Sequence, residues 1–151
     1  MNGHAASMSP DGRHRYAVRV YYEDTDAGGV VYHATYLRFA ERARTEALRA
    51  AGVPHAELLE RFALMFVVRH VEVDYVRAAR LDDSLVIVTE PLVVGGATVT
   101  MKQDVQGPEG SCAVLTVRLA CVRPREGKPG RLPPQWRRVL SGMCAAAQDR
   151  G

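Results

Sequence analysis

The chain has 151 residues, of which 47% are hydrophobic and 25% charged, and its 20 basic and 17 acidic side chains leave a formal charge of +3. That is the composition of one soluble globular domain, and no apolar run approaches the roughly 18 residues a bilayer span needs. The cations are spread in short pairs such as Arg137-Arg138 and never cluster, so a nucleic-acid partner is not expected, and a cytoplasmic protein with no membrane anchor is the simplest reading.

Residues 1–14, rich in Gly, Ser and His without periodicity, read as a flexible leader. From Tyr16 to Tyr22 the β-branched and aromatic run YAVRVYY reads as a strand, and it feeds the acidic, glycine-bearing loop EDTDAGG. The spacing then turns helical. Tyr36, Ala40, Ala43, Ala47 and Ala51 recur at steps of three and four, so Thr35 to about Ala51 is predicted to be a helix with this stripe facing the core. Leu37, Phe39 and Leu48 flank the stripe, Arg42 and Glu46 are spaced to pair, and Gly52 with Pro54 supplies the stop.

After a short segment around His55 to Phe62 the period changes to two. In Val67 to Val76, Val67, Val71, Val73 and Tyr75 are predicted to share one face of a half-exposed strand, with His70, Glu72 and Asp74 on the other. Leu85–Val93, Ala97–Val105 and Cys112–Val122 are further strands, joined through Gly95-Gly96 and Gly107-Pro108-Glu109-Gly110 as antiparallel hairpins. The tail 126–151 is predicted to hold at most a short helix over Pro134–Cys144. Cys112, Cys121 and Cys144 are odd in number and form no CxxC or Cys/His spacing, so they read as reduced thiols and no metal site or cofactor is expected. One helix followed by a meander is satisfied by a sheet wrapped around that helix, an α+β arrangement that leaves sheet edge to bury against another copy.

The loop YEDTDAGGVVYHATY (22–36) carries the chemistry. Glu23, Asp24 and Asp26 follow a strand, and a helix begins within six residues of Gly29. Helix N-terminal N–H groups lack internal partners and carry the positive end of the dipole, so the spacing sets an acid beside a site for an anion or oxyanion. Acidic caps and an ordinary Gly-Gly turn would produce the same spacing. Asp24-Thr25-Asp26 also matches the paired aspartates of a magnesium-dependent phosphotransferase, a chemistry usually built on a parallel sheet.

The segment Tyr22–Leu48, together with Phe66–Asp83 (FVVRHVEVDYVRAARLDD), closely resembles the 4-hydroxybenzoyl-CoA thioesterase class of hotdog-fold proteins, in particular the Tol-Pal-associated acyl-CoA thioesterases. The likeness covers about Tyr16 to Arg123 and rests on Asp26, Gly28-Gly29, Val30-Val31-Tyr32-His33 and Arg42-Ala43-Arg44-Thr45-Glu46; Ala34 stands where members commonly have Asn, and Ala78 where Pro is common. The resemblance implies a hotdog domain over 15–125, about five antiparallel strands around one helix, that hydrolyses a fatty or aromatic acyl-CoA as a homodimer or homotetramer. It implies Asp26 as catalytic carboxylate, either base or nucleophile, and the His33 N–H as the group that polarises the thioester carbonyl. The His33 side chain is implied in activity, with Gly29 and Tyr32 shaping the loop. Arg77, Arg80, Arg123 and Arg125, at strand ends, are candidates for the CoA phosphates. A hotdog that binds an acyl ligand without cleaving it is the alternative, and an enoyl-thioester hydratase a further one.

Overall fold

The computed structural model describes residues 9–149. Five long strands and one two-residue strand form a sheet that is antiparallel throughout, in the order β1-β3-β4-β5-β2 with β6 beside β5. The strands are β1 (His14–Arg19), β2 (Met65–Tyr75), β3 (Ser84–Val94), β4 (Thr98–Gly107), β5 (Gly110–Arg123) and β6 (Lys128–Pro129), and the helices α1 (Thr35–Ala50), α2 (His55–Phe62) and α3 (Pro134–Asp149). This is the expected α+β hotdog. It lacks the parallel sheet on which the phosphotransferase reading depends. No helix among the described residues is long and apolar enough to cross a membrane.

The small-residue stripe of α1 is buried as predicted: Tyr36, Ala40 and Ala43 share one core cluster with Ile87, Val99, Met101, Leu115 and Val117, and Ala47 is enclosed as well. The buried face is wider than the stripe. Phe39 and Leu48, expected on its flanks, are enclosed, whereas Leu37 is exposed. Arg44 is buried as well, and its guanidinium donates to Gln103 Oε1 at 3.0 Å, while the Gln103 amide donates to the Ala40 carbonyl and to Thr89. The predicted Arg42–Glu46 pair is replaced by Arg49 with Glu46, one turn further along the helix.

One unassigned segment gains a structure and three expectations change. The 55–62 segment is the helix α2, ended by Ala63 in a left-handed conformation. A bulge in β2 between Val68 and His70 shifts the alternation, so Val68 pairs with Leu119 while Val67 pairs with Ala120 and leaves the face it was assigned. The leader is shorter than 1–14: β1 begins at His14, and Ser9–Arg13 form a turn closed by backbone bonds from Gly12 to Ser9 and from Ser9 to Arg13. Residues 1–8 lie outside the described residues. Finally, the tail builds a sixteen-residue helix, α3, that buries Trp136 and Leu140 completely. Gly12 packs so closely on it, with φ +78, that a Cβ there would meet the Met143 carbonyl oxygen at 2.3 Å.

His14 faces Thr89 across β1 and β3, fully enclosed, and neither ring nitrogen has a hydrogen-bond partner among the described residues. Burial lowers its pKa below 6.5, opposed by the Glu46 carboxylate; His55 is lowered too, by burial and then by Arg44 and Arg49. A histidine whose folded pKa is depressed takes up a proton more readily when unfolded, so its stabilising effect holds above the unfolded value and is lost as pH falls. The denaturation midpoint is therefore expected to drop between about pH 7.5 and about pH 5.5, and to drop less in His14→Leu. Equal slopes for parent and variant would show that His14 does not titrate on unfolding.

Candidate active site

The loop between β1 and α1 is held by backbone pairing on three sides. Val20 exchanges bonds with Asp82 and Asp83; Val31 donates to the Ala79 carbonyl at 2.8 Å; and Val30 bridges Arg80. Within the loop, Tyr22–Asp24 form one 3-10 turn, Thr25 bridges Val31, and Tyr32 N–H donates to the Asp24 carbonyl.

Asp26 opens a tight turn. Its backbone N–H donates to the Val30 carbonyl, its carbonyl accepts from Gly29, and its side-chain Oδ1 accepts the Gly28 N–H at 2.8 Å. This Asx turn orients the carboxylate from within the loop. The other oxygen, Oδ2, has no partner among the described residues, and the residue is exposed. Gly29 has φ +79, a left-handed conformation that a side chain would strain.

His33 stands two residues before α1. Its backbone N–H donates to no acceptor among the described residues, and Ala34, at the helix N-cap, offers no side-chain cap. Where Asn would be able to accept a backbone N–H, alanine leaves this helix end open. The His33 carbonyl is fixed instead, accepting the Tyr75 hydroxyl at 2.9 Å from the end of β2. Around it, the His33 ring lies 4.5 Å from that of Tyr32 and 6.4 Å from that of Tyr75, and the buried Tyr36 hydroxyl accepts the Ala79 N–H. Tyr32 is half-exposed.

One turn into α1, Leu37 starts a cleft of about 320 Å³ against Val68, Val71 and Val117, with Glu41 and Arg44 at its end. It continues into a larger cleft of about 700 Å³ between α1, α2 and β2, which shares Glu41, Arg44 and Val68 and adds Leu59 and Phe66.

Of the four candidate arginines, two stand beside the loop. Arg80 bridges Val30, and Arg77 donates its N–H to the Cys112 carbonyl at the start of β5. Arg123 closes β5 and Arg125 lies in the turn to β6. The ten residue steps from Ala113, which pairs with Tyr75, to Arg123 span roughly 33 Å of strand. One chain therefore does not bring Arg123 or Arg125 to its own loop. In the sequence Tyr75 is only one residue of a period-two strand. Its hydroxyl reaches a carbonyl 42 residues earlier, a separation that leaves no periodic signal.

A family model described as "Thioesterase superfamily" matches residues 28–113. Among similar proteins, an acyl-CoA thioesterase, YbgC, of Haemophilus influenzae is 48% identical over 120 residues, covering 80% of this chain and 88% of that one. An acyl-CoA thioester hydrolase, YbgC, of Escherichia coli is 48% identical over 121 residues, covering 79% and 89%. Among solved structures, a probable thioesterase from Bartonella henselae superposes with a TM-score of 0.76 at 41% identity, covering 80% of this chain and 99% of that one.

Proposed function

The chain belongs to the thioesterase superfamily and is a thioester hydrolase, and from that premise we propose that it cleaves acyl-CoA thioesters to free acid and CoA at the Asp26–His33 loop. The observation that carries this reading is the unclaimed His33 N–H at an uncapped helix start, on the same loop as a carboxylate oriented through one oxygen. The thioester carbonyl oxygen accepts that N–H, and the dipole of α1 stabilises the charge that develops on it.

Asp26 then acts by one of two balanced routes. As a base, it takes a proton from water while the water oxygen bonds to the carbonyl carbon; the tetrahedral intermediate collapses, the C–S bond breaks and the thiolate takes a proton. As a nucleophile, it bonds to that carbon itself and expels the thiolate, and water cleaves the resulting anhydride. Gly29 and Tyr32 shape the turn, and the His33 ring borders the reacting group. The acyl group follows the cleft from Leu37 past Val71 and Val117, while Arg77 and Arg80 supply cations beside the loop. The hotdog of residues 15–125 is the catalytic unit, braced by the tail.

The protein works as a homodimer joined through β2. That strand is a sheet edge, and Val68, Val71 and Tyr75, which pair with the core residues Leu119, Val117 and Ala113, are all exposed. An edge carrying exposed apolar side chains is an interface waiting for a second copy. The test is thiol release from acetyl- to palmitoyl-CoA and benzoyl-CoA, with sedimentation equilibrium on the same sample. Release of CoA by a species of twice the 16.6 kDa chain mass is expected. A folded protein that cleaves none of these esters ends the acyl-CoA reading, and an active monomer ends the dimer.

A further inference from the structure

The direction of the His33 N–H is set by the two peptide planes that meet at the His33 Cα. The first consists of the Tyr32 carbonyl and the His33 N–H, and its carbonyl accepts the Thr35 N–H at 2.8 Å. The second begins at the His33 carbonyl and has no such tie to the helix. In a regular α-helix the N–H four residues on would bond to it, but the Leu37 N–H donates to the Ala34 carbonyl instead, at 3.1 Å. Ala34 has no side chain with which to cap the turn. What holds the second plane is the Tyr75 hydroxyl, which donates to the His33 carbonyl at 2.9 Å.

Tyr75 works from a firm base. It ends β2 opposite Ala113, and the N–H groups of Val76 and Arg77 both donate to the Cys112 carbonyl, at 2.8 and 3.1 Å. Its ring meets that of Tyr36 at 5.7 Å and that of His33 at 6.4 Å, both edge-on. Further along, the Ala79 N–H donates to the Tyr36 hydroxyl and the Ala79 carbonyl accepts the Val31 N–H. The segment 75–79 thus grips the loop on both sides of Tyr32, at Val31 and at His33. We propose that Tyr75 is a positioning residue for thioester hydrolysis: its hydroxyl fixes the His33 carbonyl and, through it, keeps the His33 N–H aimed at the oxyanion. This inference rests on the acyl-CoA reading above. A donor aimed in advance stabilises charge as it develops, whereas one that swings must be reoriented during the reaction. The ground-state thioester oxygen carries less charge, so a swinging donor costs the transition state more than it costs binding.

The test is Tyr75→Phe, which removes the hydroxyl and keeps the ring with its edge contacts. Its kcat on an acyl-CoA that the parent cleaves is expected to fall about 10-fold, part of the roughly 10²- to 10³-fold that losing a whole oxyanion donor costs, with KM within about twofold of the parent's. In ¹⁵N-labelled protein the amide resonances of His33 and Ala34 are expected to move, because their peptides flank the freed bond. Tyr75 and His33 are both exposed, so water can replace the hydroxyl, and the thermal midpoint and sedimentation profile are expected to stay at parental values. Parental kcat in Tyr75→Phe overturns the role. So does a loss expressed in KM alone, a changed sedimentation profile, or a pair of amide resonances that do not move. A parent that releases no thiol from any acyl-CoA fails one step earlier, ending the acyl-CoA reading and this role with it.

Discussion

Asp26→Asn is expected to lower kcat for acyl-CoA hydrolysis by about 10²- to 10⁴-fold, the range associated with losing a positioned base or nucleophile. The substitution is selective because of how the loop is built. Asp26 Oδ1 accepts the Gly28 N–H, and the Asn amide oxygen accepts the same bond, so the Asx turn and Gly29 conformation persist. What disappears is the negative charge and the ability of the second oxygen to take a proton or attack carbon. KM is expected to move far less than kcat, since the acyl cleft and the arginines are untouched. The measurement is steady-state thiol release beside far-UV circular dichroism and the sedimentation profile of the variant. Single-turnover reaction in ¹⁸O-labelled water then tests the nucleophilic route: label entering the Asp26 carboxylate marks the nucleophile, because a general base never bonds to the water oxygen. A variant that keeps parental turnover would remove Asp26 from the chemistry.

The second large effect concerns stability. Trp136 is fully buried, with its ring edge-on to Phe62 at 5.4 Å, and Trp136→Ala is expected to cost about 3–5 kcal/mol through lost burial and the cavity left behind. Its indole N–H has no acceptor among the described residues, a penalty the folded protein already carries. Trp136→Phe, which removes that donor and keeps most of the apolar contact, is accordingly expected to cost much less than the alanine variant. Urea denaturation followed by circular dichroism compares the three proteins. Equal stability of parent and Trp136→Ala would mean that α3 is not part of the cooperative unit. The packing predicts the reverse, because α3 covers the end of β3, where Cys144 Sγ donates to the Leu92 carbonyl, and supports the turn at Gly12.

The sequence was legible where a local rule has a short range. The period of three to four in 36–51, the period of two in the meander and the paired glycines at 95–96 placed one helix and four of the strands. The order strand, acidic loop, helix start brought Asp26, Gly29, Tyr32 and His33 onto one turn, because residues so few apart cannot separate far. The resemblance of 22–48 and 66–83 to a thioesterase class then set fold and reaction together. What the sequence did not disclose depends on partners far along the chain. The bulge near Arg69 reassigns Val67 and Val68 through the register with β5, a property of two strands and not of either. No local spacing marks Arg44 for the core, where Gln103, itself bonded to Thr89, accepts a hydrogen bond from its guanidinium. Four arginines at strand ends look equivalent in sequence, but strand length divides them between opposite ends of the sheet. Local periodicity thus determined the elements and the loop that carries the acid, and tertiary packing alone decided which buried polar groups find partners, which cations can share a ligand, and that the tail is a helix holding the fold together. Those outcomes depend on distances across the sheet, which spacing along the chain does not encode.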